Sequence, residues 1–128
     1  MPKINRYEDI GQIDKEAKKD YIDRHSPFIF CEGSAKSGEP FEVKVQMGQE
    51  YEHPDDFDHY ISNISLFNKE TKLAEAVFYA GTLGGQGKKG QQTVTFKVIL
   101  EKDAKLTAHS YCTKHGVWES IPVEVKVN

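Results

Sequence analysis

The chain is poor in sulfur and has no long apolar run. Its 128 residues include two cysteines, two methionines and one tryptophan. The longest unbroken apolar stretch is Ala76–Ala80, far short of the roughly 20 residues that a membrane-spanning helix needs. The first residues, Met1-Pro2-Lys3-Ile4-Asn5-Arg6-Tyr7-Glu8, contain no apolar segment of the kind that opens a secretory signal, so a cytoplasmic location is expected. In that setting Cys31 and Cys112 are expected to be reduced and not bridged. Neither belongs to a Cys-x-x-Cys pair, which excludes rubredoxin-like and thioredoxin-like centres. Positive charge is also scarce: 17 Lys and Arg stand against 20 Asp and Glu, a net charge of −3. Duplex-binding domains usually carry a basic stripe and a pI above about 9, so nucleic acid is not an expected partner.

What remains is the composition of a globular chain, 38% hydrophobic and 29% charged. At roughly 100–200 residues per domain the length predicts a single domain, residues 1–128, able to build its own core. Residues 1–24 read as an N-terminal arm. Within it, Ile13–Ile22 has apolar residues at 13, 17, 21 and 22, a spacing that predicts a short helix with Asp14 near its start. Pro27 then favours extended chain before it. Beyond that point the apolar period becomes two. Phe41, Val43, Val45 and Met47 alternate with polar residues, as do Val94–Leu100, Leu106–Cys112 and Val123–Val127. Phe28–Cys31, Tyr60–Phe67 and Leu73–Tyr79 add three less regular candidates. Seven strands, separated by Gly-, Ser- and Asn-rich turns and not by helices, predict an all-β, immunoglobulin-like antiparallel sandwich. Gly81–Gly90 reads as a flexible hairpin loop whose glycines follow no phosphate-loop pattern.

Histidine placement carries the chemistry. His53 and His59 flank Pro54-Asp55-Asp56-Phe57-Asp58, a loop that can bring both imidazoles to one point. Cys112-Thr113-Lys114-His115 is Cys-x-x-His, a spacing that lets one turn supply a sulfur and an imidazole to one metal. His25 stands where the arm meets the first strand. His109 shares its strand face with Lys105, Thr107 and Tyr111, whereas Cys112 shares the opposite face with Leu106 and Ala108; alternation therefore puts His109 outward and Cys112 inward. His25, His53, His59, Cys112 and His115 are thus candidate metal ligands. Structural zinc usually takes four ligands, one fewer than this set. Four imidazoles and one sulfur suit iron with an open position, although ligand softness alone leaves copper and zinc in play.

The run Ser110-Tyr111-Cys112-Thr113-Lys114-His115-Gly116-Val117-Trp118-Glu119 resembles the Cys-x-x-His-Gly-x-Trp-Glu signature of the superoxide reductases, the neelaredoxins and desulfoferrodoxins. His53-Pro54 followed by His59-Tyr60-Ile61 is similar to that family's second motif, and Asp23-Arg24-His25-Ser26-Pro27 to its Glu-Lys-His-Val-Pro motif. Without an N-terminal Cys-x-x-Cys centre, the chain is most similar to the one-iron neelaredoxin type. The resemblance implies a mononuclear Fe2+/Fe3+ centre, with His25, His53, His59 and His115 equatorial and Cys112 axial. It implies reduction of superoxide to hydrogen peroxide, with the electron coming from rubredoxin or a similar small carrier. It also implies a homo-oligomer, a tetramer being favoured. On this reading the amides of Thr113, Lys114 and His115 are the expected donors to the Cys112 sulfur, and Trp118 and Phe28 are candidate walls. Two positions depart from the pattern. The family's lysine is Arg24, expected to attract the anion and order a water without itself releasing a proton. The family's glutamate, a ligand in the resting ferric state, is Asp23, one methylene shorter. Two other readings of the same residues are an immunoglobulin-like binding module with a structural metal and an iron electron carrier.

Overall fold

The computed structural model describes residues 14–128, together with the backbone of Ile4–Asn5. The elements, in chain order, are β1 (Ile4–Asn5), α1 (Lys19–His25), β2 (Pro27–Phe30), β3 (Ser34–Ala35), β4 (Pro40–Met47), β5 (His53–Pro54), β6 (Ile61–Asn68), β7 (Thr71–Val77), β8 (Lys89–Gly90), β9 (Thr93–Ile99), β10 (Ala104–Cys112), β11 (Gly116–Glu119) and β12 (Val123–Val127). The seven expected strands are β4, β9, β10 and β12, read from alternation, and β2, β6 and β7, the less regular candidates. The five additional strands are two to four residues long, too short to leave a period in the sequence.

Two sheets enclose the core. β2, β4 and β9 form an antiparallel three-stranded sheet. The larger sheet is organised by β10, whose one edge pairs with β6 along its length. Its other edge is shared: Ala104–Leu106 pairs with β12 and His109–Cys112 with β11. Ser120 makes that change of partner possible, because its N–H donates to the Ala108 carbonyl while its hydroxyl accepts the Ala108 N–H. β7 adds to β6, β1 adds to β11, and β3 pairs with β12 in parallel. The sandwich is therefore antiparallel except at that two-residue pair.

The alternation does what its period requires. Phe41, Val43, Val45 and Met47 from one sheet meet Ile64, Leu66, Leu106, Ala108 and Val125 from the other, all buried. Cys112 lies in the same cluster and is fully buried. No helix among the described residues is long and apolar enough to cross a membrane.

Three local expectations are corrected. The helix runs over Lys19–His25 and not over 13–22; Ile13 lies outside the described residues. Asp14 accepts the N–H groups of Glu16 and Ala17 on its side chain, and so closes a turn ahead of the helix. The helix then continues to His25, because Ile22 and His25, three apart, form its buried face. It stops at Ser26, which is extended before Pro27. The arm is also not helical throughout, since Ile4–Asn5 pairs with Trp118–Glu119 as a strand. Finally, Gly81–Gly90 is no hairpin loop. It crosses from β7 in one sheet to β9 in the other and contains β8, which pairs with β5.

Leu66 is completely buried between the sheets. Leu66→Ala should cost about 2–5 kcal/mol, read as a lower urea midpoint with an unchanged slope.

Candidate metal centre

Four separate stretches of chain deliver the candidate ligands, and backbone hydrogen bonds aim each one. His25 closes α1, and its Nδ1–H donates to the Tyr21 carbonyl one turn back, at 2.7 Å. His53 lies in β5, and its Nδ1–H donates to the carbonyl of Pro54, also at 2.7 Å. A carbonyl can only accept, so both rings carry the proton on Nδ1 and present an unprotonated Nε2. His59 sits on a tight turn closed by reciprocal backbone bonds between Asp56 and His59, both at 3.0 Å. Cys112 and His115 bracket the β10–β11 turn.

Thr113 laces these last two units together. Its N–H donates to the Tyr60 carbonyl at 3.0 Å, and its hydroxyl accepts the Tyr60 N–H at 3.1 Å. The Thr113 amide is thus turned away from the Cys112 sulfur, contrary to expectation. The His115 N–H does donate to that sulfur, at 3.4 Å, and the Lys114 amide also lowers the pKa of Cys112.

The donor atoms converge. One ligand atom from each of His25, His53, His59 and Cys112 lies within 4.8 Å of the others. His115 Nδ1 is 3.1 Å from His25 Nε2, 3.2 Å from His59 Nε2 and 3.7 Å from Cys112 Sγ. The imidazoles form a closed ring in the order 25, 53, 59, 115. Neighbouring centroids are 4.7–4.8 Å apart with planes 71–90° to one another, and His25 faces His59 across the ring at 6.0 Å. His53 Nε2 is buried and has no hydrogen-bond partner. Ring nitrogens and a sulfur crowd one point, and the buried His53 nitrogen without a partner is costly. A cation at the centre would give all of them a partner, so the residues present fit a metal ion.

Electrostatics prepares the donors for that use. Burial, reinforced by the neighbouring imidazoles, pulls His25 down to about 2 and His53 down to about 4, against the pull of their carbonyl hydrogen bonds. His59 is lowered by burial, by His115 and by the Lys114 charge. All three are therefore neutral near pH 7. The Cys112 thiol is raised by burial, with the Lys114 and His115 amides opposing; metal binding would displace its proton.

Around the ring, Trp118 is fully buried and stacks on His25 at 5.2 Å and 21°, which makes it a wall as well as core. Its indole N–H donates to the His115 carbonyl at 3.2 Å. Tyr21 meets the His115 ring edge-on at 5.2 Å. Phe28 instead lines a cavity of about 220 Å³ between α1 and residues 49–51. Arg24 pairs with Asp20 at 3.4 Å and lies over the Tyr51 ring at 5.9 Å; its charge is felt at His53.

Asp23 does not join the cluster. Its carboxylate accepts the N–H groups of Gln49, Glu50 and Tyr51 at 2.9–3.1 Å. The turn it holds begins at Gly48, φ +78°, where any Cβ would stand 2.5 Å from the Tyr51 carbonyl oxygen. His109 faces outward as alternation requires, beside Phe67 and 3.5 Å from Glu119. Three residues help build the site in ways the sequence reading did not foresee: Tyr21, Thr113 and Asp55. Tyr21 had a signal, its position four residues before a helical histidine; the other two act through backbone bonds that leave no pattern.

The buried imidazoles set a sign for acid behaviour in the metal-free protein. The ordinary histidine value is 6.5, so below that pH the unfolded chain binds protons that folded His25 and His53 refuse. Stability is then full above pH 6.5 and falls as the pH drops. The slope is up to about 1.4 kcal/mol per pH unit for each group. The His53 contribution ends near pH 4, where the folded state protonates too. A urea midpoint that stays flat from pH 7 to pH 5 would contradict this.

Comparison with known proteins fits the geometry. The family model described as Desulfoferrodoxin matches residues 13–121. The chain is 30% identical to the neelaredoxin of Megalodesulfovibrio gigas over 109 residues, which cover 77% of this chain and 84% of that one. It is 32% identical to the superoxide reductase of Pyrococcus furiosus, with coverage of 77% and 86%. Among solved structures, a neelaredoxin-type superoxide reductase from Ignicoccus hospitalis superposes with a TM-score of 0.73 at 29% identity, over 93% of this chain and 90% of that one. Strand pattern, histidine ring and matched sequence agree, and the chain belongs to the desulfoferrodoxin family.

Proposed function

We propose that this protein is a superoxide reductase, taking superoxide to hydrogen peroxide with one electron and two protons at a mononuclear iron. His25, His53, His59 and His115 would hold the metal as imidazole ligands and Cys112 as the thiolate, within the one domain. When bound, iron supplies the one-electron couple. The observation that carries the reading is the ring of four imidazoles closing beside the Cys112 sulfur, with His53 Nε2 buried and unpartnered.

The remaining residues suit an anionic substrate. Four neutral nitrogens and one thiolate leave a divalent ion with net positive charge, and Arg24 and Lys114 add to it. Such a field draws in a small anion and raises its rate of encounter. Arg24 is held for this role by Asp20 and Tyr51. Guanidinium does not release a proton near neutral pH, so Arg24 orients and attracts while solvent supplies the protons. The His115 amide, donating to the Cys112 sulfur, withdraws electron density from the thiolate and tunes the centre. Asp23, committed to the amides of residues 49–51, anchors the turn that carries Tyr51. The electron donor in this proposal is a small one-electron carrier such as rubredoxin.

Stopped-flow mixing of the ferrous protein with superoxide tests the reaction class. Reduction yields one peroxide per superoxide, and a yield of one per two would mean dismutation and end the proposal. Arg24→Ala should lower the second-order rate about 10-fold at low salt and flatten its dependence on ionic strength. Cys112→Ser should abolish the thiolate-to-metal absorption band while the protein remains folded.

A further inference from the structure

The loop that bears His53 and His59 has little sheet of its own, and a buried carboxylate two residues from His53 explains how it is held. Asp55 is 1% exposed. No cationic side chain pairs with it among the described ion pairs. A single oxygen, Oδ2, accepts three main-chain N–H groups from the crossover between the sheets: Gly81 at 3.0 Å, Leu83 at 2.8 Å and Gly85 at 2.8 Å. A carboxylate that accepts several amides is a strong clamp, because each bond is charge-assisted.

The clamp acts on the metal site through one peptide unit. The carbonyl of Pro54 accepts the Nδ1–H of His53. The other side of the same peptide, the Asp55 N–H, donates to the Lys88 carbonyl at 3.0 Å. The crossover therefore grips both the Asp55 side chain and the peptide that orients the His53 ring. Further along, Asp56 accepts the Gly87 N–H at 2.8 Å, which fixes the turn bearing His59. The glycines serve this arrangement: Gly85 is buried at φ +91°, a conformation that costs any L side chain about 1 kcal/mol or more.

We infer that Asp55 is a positioning residue for the metal centre. By folding the 81–85 crossover around its carboxylate, it sets the direction of the His53 and His59 nitrogens and so the strength and symmetry of metal binding. The inference rests on the metal-centre reading of the histidine ring, and its test separates the two.

The experiment is a Co2+ titration of the metal-free full-length protein, followed by visible absorption well below the unfolding temperature. Asp55→Ala should weaken cobalt binding 10-fold or more, the usual scale for losing a group that orients a ligand, and should change the cobalt absorption envelope as imidazole donors are lost. Asp55→Asn keeps a carbonyl oxygen in place of Oδ2 and should recover most of the affinity. Gly85→Ala strains the clamp from the other side while leaving the side chains of residues 53–59 unchanged, and it should reproduce the alanine variant's spectrum in milder form. It serves as the second probe if Asp55→Ala does not fold. Asp103→Ala is the control: Asp103 accepts the Val127 N–H far from the 81–85 crossover, and its loss should lower stability alone. If Asp55→Ala and Gly85→Ala are less stable but bind cobalt with wild-type affinity and spectrum, Asp55 only stabilises the loop and the inference is wrong. If the unmodified protein fails to bind cobalt at all, the metal-centre reading itself falls.

Discussion

The structure is organised around a point at which four ring nitrogens and a sulfur converge. No apolar core makes such a point by itself, because each donor prefers water. It persists because the far side of each group is tied to main chain. Carbonyls of Tyr21 and Pro54 hold two rings from behind, and the His115 amide meets the sulfur. Trp118 covers the His25 face. The β10–β11 turn and the 56–59 turn are tied through Thr113 and Tyr60. The sandwich contributes rigidity: β10 carries core residues at one end and Cys112 at the other, so the packing of Leu106 and Ala108 and the position of the sulfur belong to one strand.

Much of this was legible from residue spacing. Alternation located four of the seven principal strands, with the other three read from less regular apolar runs, and it separated outward His109 from inward Cys112, since a strand has only two faces. Cys-x-x-His and the His53–His59 pair signalled the site because short loops limit where their ends can lie. Other parts were hidden for physical reasons. The helix boundary moved because Asp14 can close a turn as readily as it caps a helix, and burial of Ile22 and His25 decided the outcome. The Gly-rich 81–90 stretch looked like a free loop because its order comes from main-chain N–H groups reaching a distant carboxylate.

Two acidic residues next to candidate ligands illustrate a common economy. Asp23 precedes His25 by two positions and Asp55 follows His53 by two. Both aim at backbone amides of another loop, and neither enters the histidine ring. Carboxylates near a metal site are easily taken for ligands or proton carriers. Here one holds the turn that carries Tyr51 and the other the loop that bears His53 and His59.

The approach of His25 to His115 links positions 90 apart in the chain. An ion gripped at both ends acts as a removable staple across most of the molecule. Like a disulfide over a loop of that span, it would curtail the freedom of the denatured chain by several kcal/mol. The ion would then bear on the durability of the fold as well as on its chemistry, and a newly made chain could gain that benefit only after its last ligand had left the ribosome.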